Sequence, residues 1–178
     1  GKDEIIWGSA ALDDDDLLLY AVGFGHGDAI HLGDFDPDRP GLELFDVHED
    51  KGTYSWDLHD AGTGEIIFKG GNSGMDNGRG IAAQLSDSHR GAFFSSSDDR
   101  NQRSAVTGQV ISDKSTSMNF RIYWDGDLQD ELLDGNQIDK WNGNGTTRLY
   151  IRGKNPYGYG SSSTCNSTKK TPNLQADI

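Results

Sequence analysis

Residues 25–45 read GHGDAIHLGDFDPDRPGLELF. Two short apolar stretches, DAIHLGDF (28–35) and LELFDVH (42–48), flank an acidic, proline-containing loop that closes on Gly41. The form is strand, polar loop, glycine, strand, with no helical periodicity. Between His26 and Glu43 the segment carries five acidic groups, Asp28, Asp34, Asp36, Asp38 and Glu43, and two histidines, His26 and His31. That density of like charge is self-repelling and needs solvent, basic partners or a bound cation to offset it.

The same form continues outward. LLLYAVG (17–23), YSWDLHD (54–60), EIIFKG (65–70), GIAAQLS (80–86) and GAFFSSS (91–97) read as strands between Gly, Asp, Asn and Ser turns. So do MNFRIYW (118–124), ELLDG (131–135), QIDKWN (137–142) and TRLYIRG (147–153). YSWDLHDAGTGEIIFKG has the pattern of a hairpin. A weak internal repeat runs through the chain. RGIAAQLSDSHRGAFFSSS has the form of the opening segment, with Gly91 placed 50 residues after Gly41. NFRIYWDGDLQDELLDG is a shorter version, with Glu131 placed like Glu43. TPNLQADI, at the end, resembles the first strand of another copy. A spacing of roughly 40–50 residues with about four strands per copy is that of propeller blades. The fold class expected is all-β, with residues 1–178 forming about three to four consecutive blades of a β-propeller. A plain β-sandwich with coincidental similarity is the alternative. Closed propellers have at least about four blades, so the chain is expected to be a fragment of a larger protein, prone to self-association through open sheet edges.

The 178 residues carry a formal net charge of −13. Such a chain repels nucleic-acid phosphates and anionic lipid, so neither is an expected partner. No apolar run approaches the roughly 20 residues needed to span a membrane. Cys165 is the single cysteine, so no disulfide framework within the chain is expected. No signal sequence opens the chain.

Several segments carry chemistry. Asp34, Asp36 and Asp38 stand at alternate positions; with the Leu42 carbonyl and Glu43 they can form an oxygen shell for calcium, or remain a solvated acidic turn. Asp125, Asp127, the Leu128 carbonyl and Asp130 offer a second such set, or an Asp-Gly hairpin turn. The run Asp13–Asp16 reads as solvated charge. His26-Gly-Asp28 has glycines flanking the histidine, which allow close backbone approach. Arg79, between two glycines, has the planar fork that suits a carboxylate, or it pairs with Asp76. Cys165-Asn166-Ser167-Thr168-Lys169-Lys170 is a cationic patch whose polar groups can bond sugar hydroxyls, or it is a surface loop.

At GHGDAIHLGDFDPDRPGLELFDVHE the sequence resembles the rhamnogalacturonan lyases of polysaccharide lyase family 11. The resemblance continues through GMDNGRGIAA and FRIYWDGDLQDELLDG into NSTKKTPNLQADI. It implies an eight-bladed β-propeller that binds several calcium ions and cleaves the rhamnogalacturonan I backbone of pectin by β-elimination. It also implies a longer parent protein, which continues with a Gly-Asp-Trp-Arg-Glu-Glu segment absent here and acts after secretion, at the cell surface or in the periplasm. By resemblance, His26 matches a calcium-binding histidine, and Asp28 belongs to the same segment. Arg79 matches an arginine contacting galacturonate, and Lys169 a lysine near the scissile bond. Asn166, Ser167 and Thr168 match a sugar-binding segment, with Ser167 where glycine is usual. LSDSHRGAFF lacks the carboxylates found at that place in the family, so no tight calcium site is expected there. Further cleft residues, a second histidine and a tyrosine, are expected outside 1–178, which leaves the isolated chain inactive or nearly so; the alternative is a non-catalytic calcium-binding β-propeller module with a carbohydrate-binding or scaffold role.

Overall fold

The computed structural model describes residues 3–71 and 77–150. Among them the only regular elements are strands: β1 (Ile5–Trp7), β2 (Ala10–Leu12), β3 (Leu18–Ala21), β4 (Ile30–Gly33), β5 (Glu43–Val47), β6 (Trp56–Asp60), β7 (Ile66–Gly70), β8 (Gly80–Ala83), β9 (Phe93–Ser96), β10 (Gln102–Ser104), β11 (Val110–Ser112), β12 (Phe120–Ile122), β13 (Glu131–Asp134), β14 (Gln137–Trp141) and β15 (Thr146–Tyr150). No helix among the described residues is long and apolar enough to cross a membrane. The strands form one three-stranded sheet, β1-β2-β3, and three four-stranded sheets, β4–β7, β8–β11 and β12–β15. Pairing is antiparallel between sequence neighbours throughout. The expected hairpin is present, with Trp56 opposite Gly70 and Leu58 opposite Phe68.

The core lies between sheets. In β8 and β9 alternate residues serve opposite neighbours. Ala82 and Phe94 pack with Phe45, Val47, Trp56 and Leu58 of the preceding sheet. Ile81, Ala83 and Phe93 pack with Leu132 and Trp141 of the following one. A strand buried on both faces shows a run of apolar residues, which is why GIAA and FF alternate so little. The first strands of successive sheets lie side by side, β4 against β8 and β8 against β12. His31 fastens the first pair: its Nε2 donates to the Gly80 carbonyl at 2.9 Å. Burial holds that imidazole neutral, with its pKa lowered to about 4.

The repeat seen in sequence is also a repeat of hydrogen bonds. Glu43 Oε2 accepts from the backbone N–H of Phe35 (2.7 Å) and Asp36 (2.9 Å). Glu131 Oε2 accepts from Trp124 N–H at 2.8 Å. In the middle copy Phe93 stands in the place of Glu43, and the Gln84 amide holds the loop instead by donating to the carbonyls of Ser86 and His89.

Phe94 is the aromatic centre of the first core, with ring centroids 5.3 Å from Phe45 and 5.1 Å from Trp56. Phe94→Ala is expected to destabilise by about 3–5 kcal/mol. Urea unfolding of the variant measures this, and a loss under about 1 kcal/mol would contradict two-sided packing of this sheet.

Candidate functional site

The β4–β5 hairpin runs on past its ladder. Val47 N–H donates to the Ala29 carbonyl (3.2 Å) and Glu49 N–H to the His26 carbonyl (2.8 Å). This extension sets His26, Asp28 and Glu49 together. His26 Nε2 lies 3.6 Å from Asp28 Oδ1, and His26 Nδ1 lies 3.4 Å from Glu49 Oε2. One ligand atom from each falls within 4.8 Å of the others. The flanking glycines are required by space. A Cβ on Gly25 (φ +89°) would meet the Asp50 carboxylate, and one on Gly27 would overlap the Val47 carbonyl oxygen. The cluster borders a cavity of about 620 Å³, whose lining includes His26 and Asp28 together with Trp7, Ala10, Ala21 and Ile30.

Glu49 was not evident from local spacing. Counting outward from the hairpin loop would place Asp50 opposite His26; Glu49 reaches it because the pairing slips by one residue beyond Val47. Two of the three Asp-x-His segments of the sequence, Asp46-Val-His48 and Asp57-Leu-His59, begin on adjacent strands. With Asp46 and Asp57 paired across β5 and β6, these four side chains share the face opposite the apolar core. All four are buried. His48 Nε2 donates to Asp57 Oδ2 (2.6 Å), and His59 Nδ1 donates to Asp57 Oδ1 (2.5 Å). Tyr20 Oη, from β3, lies 3.3 Å from His59 Nε2 and donates to the Ala61 carbonyl at 3.1 Å. Burial would raise the Asp57 pKa, but the two imidazoles outweigh it and hold the carboxyl below its ordinary value. Burial draws the His48 pKa down, yet the bond to Asp57 and the charge of Asp46 carry it above its ordinary value.

Neither Asp46 carboxylate oxygen has a hydrogen-bond partner among the described residues. Burial pushes its pKa up to about 6 from 3.8.

The Asp34–Glu43 loop is organised differently. Asp36 and Glu43 are buried, and Asp34 and Asp38 are exposed. The Arg90 guanidinium grips Asp38 and holds its carboxyl below its ordinary value. The Leu42 carbonyl accepts from Ala61 N–H at 2.9 Å. No three carboxylates of this loop come within 4.8 Å of one another. Glu43 Oε1 is nevertheless buried without a hydrogen-bond partner among the described residues. A buried carboxylate oxygen left over in this way is one ligand atom of the kind calcium takes, while Asp38 and the Leu42 carbonyl are already engaged.

In the second acidic loop Asp125, Asp127 and Glu131 converge within 4.8 Å. The Lys140 ammonium sits among them, 3.0 Å from Glu131 Oε1 and bonded to both aspartates. Burial alone would lower the Lys140 pKa, but the three carboxylates raise it above its ordinary value. Asp130 is turned away from this trio and accepts from Gln84 N–H at 2.8 Å. Leu128 is 84% exposed. Arg79 is half-exposed, lies 3.8 Å from Asp134, and does not line the cavity. Lys169, Asn166, Ser167 and Thr168 lie outside the described residues, as does Asp76.

These features define an all-β protein of repeated antiparallel sheets, with acidic loops and an exposed His–Asp–Glu cluster beside an open cavity. The chain belongs to a known family of such proteins: the model described as rhamnogalacturonan lyase family 11, C-terminal domain, matches residues 1–178. It is 45% identical over 180 residues to the rhamnogalacturonan endolyase YesW of Bacillus subtilis (strain 168), covering 100% of this chain and 28% of that protein. It is 45% identical over 195 residues to the rhamnogalacturonan exolyase YesX of the same organism, covering 100% of this chain and 31% of that protein. The crystal structure of YesW superposes with a TM-score of 0.79 at 41% identity, over 90% of this chain and 28% of that one. A Bacillus licheniformis rhamnogalacturonan lyase superposes with a TM-score of 0.72 at 44% identity, over 83% of this chain and 25% of that one. The chain thus spans less than a third of the length of these relatives.

The raised pKa of Asp46 gives a pH prediction. Its folded-state pKa exceeds the unfolded one, so its ionisation weakens the fold as pH rises from 3.8 to about 6. His31, with a lowered pKa, works in the opposite sense and masks this in the unsubstituted chain. Asp46→Asn, measured with chelator present, should therefore gain about 2 kcal/mol relative to the unsubstituted chain as pH rises from 4 to 6. Urea unfolding across that range reads the difference. A difference independent of pH would contradict a buried carboxylate whose ion-pair partner among the described residues is His48 Nδ1 at 4.0 Å.

Proposed function

We propose that this chain is part of a calcium-dependent rhamnogalacturonan lyase that cleaves the rhamnogalacturonan I backbone of pectin by β-elimination at galacturonate. Membership of the lyase family supports this, and the observation that carries it to particular residues is the His26–Asp28–Glu49 cluster at the cavity. The side-by-side first strands of successive sheets support a second part of the reading, that the sheets are consecutive blades of an eight-bladed propeller. The whole protein would then act on a polymer too large to enter a cell, and so would be secreted, surface-bound or periplasmic.

His26, Asp28 and Glu49 would hold one calcium ion. Asp34, Asp36, Asp38, the Leu42 carbonyl and Glu43 would hold a second, with Glu43 Oε1 already desolvated for it. Asp125, Asp127, the Leu128 carbonyl and Asp130 are the remaining candidate set, where Lys140 now supplies the positive charge. Calcium at the cavity, when bound, would neutralise the galacturonate carboxylate and make the adjacent C–H more acidic. The chain's own part is to orient the uronate and move a proton. Arg79 presents a planar donor fork to a carboxylate. Lys169, as the free amine, would take the proton beside the carboxylate. The carbon–carbon double bond forms as the bond to the 4-oxygen breaks, and that oxygen leaves with rhamnose. A lysine serves as base near neutral pH only when a neighbouring cation or burial lowers its pKa. Asn166, Ser167 and Thr168 would bond the adjoining sugar.

Arg79 stands outside the cavity that the cluster borders. This favours the reading that residues 1–178 alone are inactive and act within a longer protein. Absorbance of the unsaturated uronate, followed with calcium and with chelator, tests both points. The longer protein is expected to give calcium-dependent absorbance, and residues 1–178 little or none. His26→Ala in the longer protein is expected to lower kcat/KM by at least about a hundredfold. Absorbance insensitive to chelator would reject the role given to calcium. Association through exposed sheet edges is expected for the isolated chain, and sedimentation at rising concentration measures it.

A further inference from the structure

Asn77 is 1% exposed, and both ends of its side-chain amide are engaged. Its Nδ2 donates to the Ser55 carbonyl, just ahead of β6. Its Oδ1 accepts twice in the turn after β9, from Ser97 Oγ at 2.7 Å and from the Asp98 backbone N–H at 3.0 Å. Both acceptor positions of that oxygen are thus used. One buried amide therefore joins the turn between β5 and β6 to the turn between β9 and β10. The two turns are also bonded directly, Ser55 Oγ donating to Asp98 Oδ2 at 2.6 Å. Gly71, where the β7–β8 connection starts, makes room for that pair, because a Cβ there would overlap Ser55 Oγ.

Two residues beyond Asn77 the main chain itself is fastened. Ser97 N–H donates to the Arg79 carbonyl at 2.8 Å, and His31 Nε2 to the Gly80 carbonyl at 2.9 Å. Gly80 is pressed onto the core, where a Cβ would meet Val47 Cγ1 and Phe45 Cε1. Every one of these partners belongs to the two complete sheets β4–β7 and β8–β11 or to the turns beside them. The Arg79 side chain, by contrast, is 52% exposed. A surface arginine that serves only solubility has no need of an immobilised backbone. An arginine that must meet a planar anion with both prongs of its fork does need one.

We propose that Asn77 is a positioning residue for Arg79: its buried amide fixes the backbone from which the guanidinium reaches the substrate carboxylate. This rests on the functional reading above, in which Arg79 meets galacturonate. With the backbone held beforehand, binding has only side-chain freedom to remove, which lowers its entropic cost. Asparagine suits the task because it is neutral and carries donor and acceptor on one planar group. Aspartate would lose the donor to Ser55, and an apolar side chain would lose all three bonds.

The test is a double-mutant cycle in the longer protein with calcium, followed by absorbance of the unsaturated uronate released from rhamnogalacturonan I. Arg79→Ala is expected to lower kcat/KM by about a hundredfold or more. Asn77→Ala is expected to lower it by about tenfold to a hundredfold, the scale of a misplaced contact. Ser97→Ala, which deletes one of the three bonds, should cost about threefold to tenfold. In an Arg79→Ala background both further losses should shrink below about twofold, because the group they position is gone. If Arg79→Ala keeps full activity, the functional reading of Arg79 fails and the positioning role with it. If Arg79→Ala is impaired while Asn77→Ala and Ser97→Ala are not, the reading stands and the positioning role is refuted. Equal losses in both backgrounds would assign Asn77 to general support of the fold, which also refutes it. Should Asn77→Ala fail to fold, Ser97→Ala alone decides between these outcomes.

Discussion

Asp57 sits between two imidazoles with no solvent to help it, and much of the molecule is arranged around that fact. The β4–β7 sheet has one apolar face, turned toward β8–β11, and one charged face, turned toward β3. The charged face closes only because Asp57 accepts from His48 and His59 at once. Removing one partner from a buried ionic group costs about 3–5 kcal/mol, because the other charge is stranded. His48 directly precedes Glu49 in the chain, so the order imposed on its ring is passed to the start of the candidate cation site. Structural rigidity and site geometry meet at this one carboxylate.

The strands were legible where alternation or an apolar run was clear. Every strand from β3 to β9 and from β12 to β14 was expected, at slightly greater length than it has; β15 was expected from residue 147 and begins at Thr146, and 151–153 lie outside the described residues. Four strands were not expected. β1 and β2 are three residues each and joined by Gly8-Ser9, too short to show a period. β10 and β11 read QRS and VIS, and Gln102 and Ser104 are buried through packing that no local pattern announces. The grouping into sheets of four followed from the repeat, and the shared role of Glu43 and Glu131 could be read from their equal placement.

The site was legible in part. His26 and Asp28 were marked by their glycines, and space is the reason those glycines stand there. Glu49 was missed because its nearness comes from a one-residue slip in the pairing beyond Val47, which neither spacing nor ladder register announces. Lys140 was missed because nothing near it in sequence is acidic apart from Asp139, while its partners lie on the far side of a hairpin. The crowded negative charge between His26 and Glu43 is offset locally, by Arg90 at Asp38 and by backbone amides at Glu43.

The β8–β11 sheet faces apolar neighbours on both sides, through Phe94 in one direction and Phe93 in the other. A sheet in that position has no outer surface on which sequence can drift freely, and its removal would expose two oily faces at once. The turn at its rim is closed by the Gln84 amide on the Ser86 and His89 carbonyls, not by a buried carboxylate as in the neighbouring sheets. Architectures of this kind diversify by whole layers or by their rims. The rims are where the chemistry of this chain is concentrated.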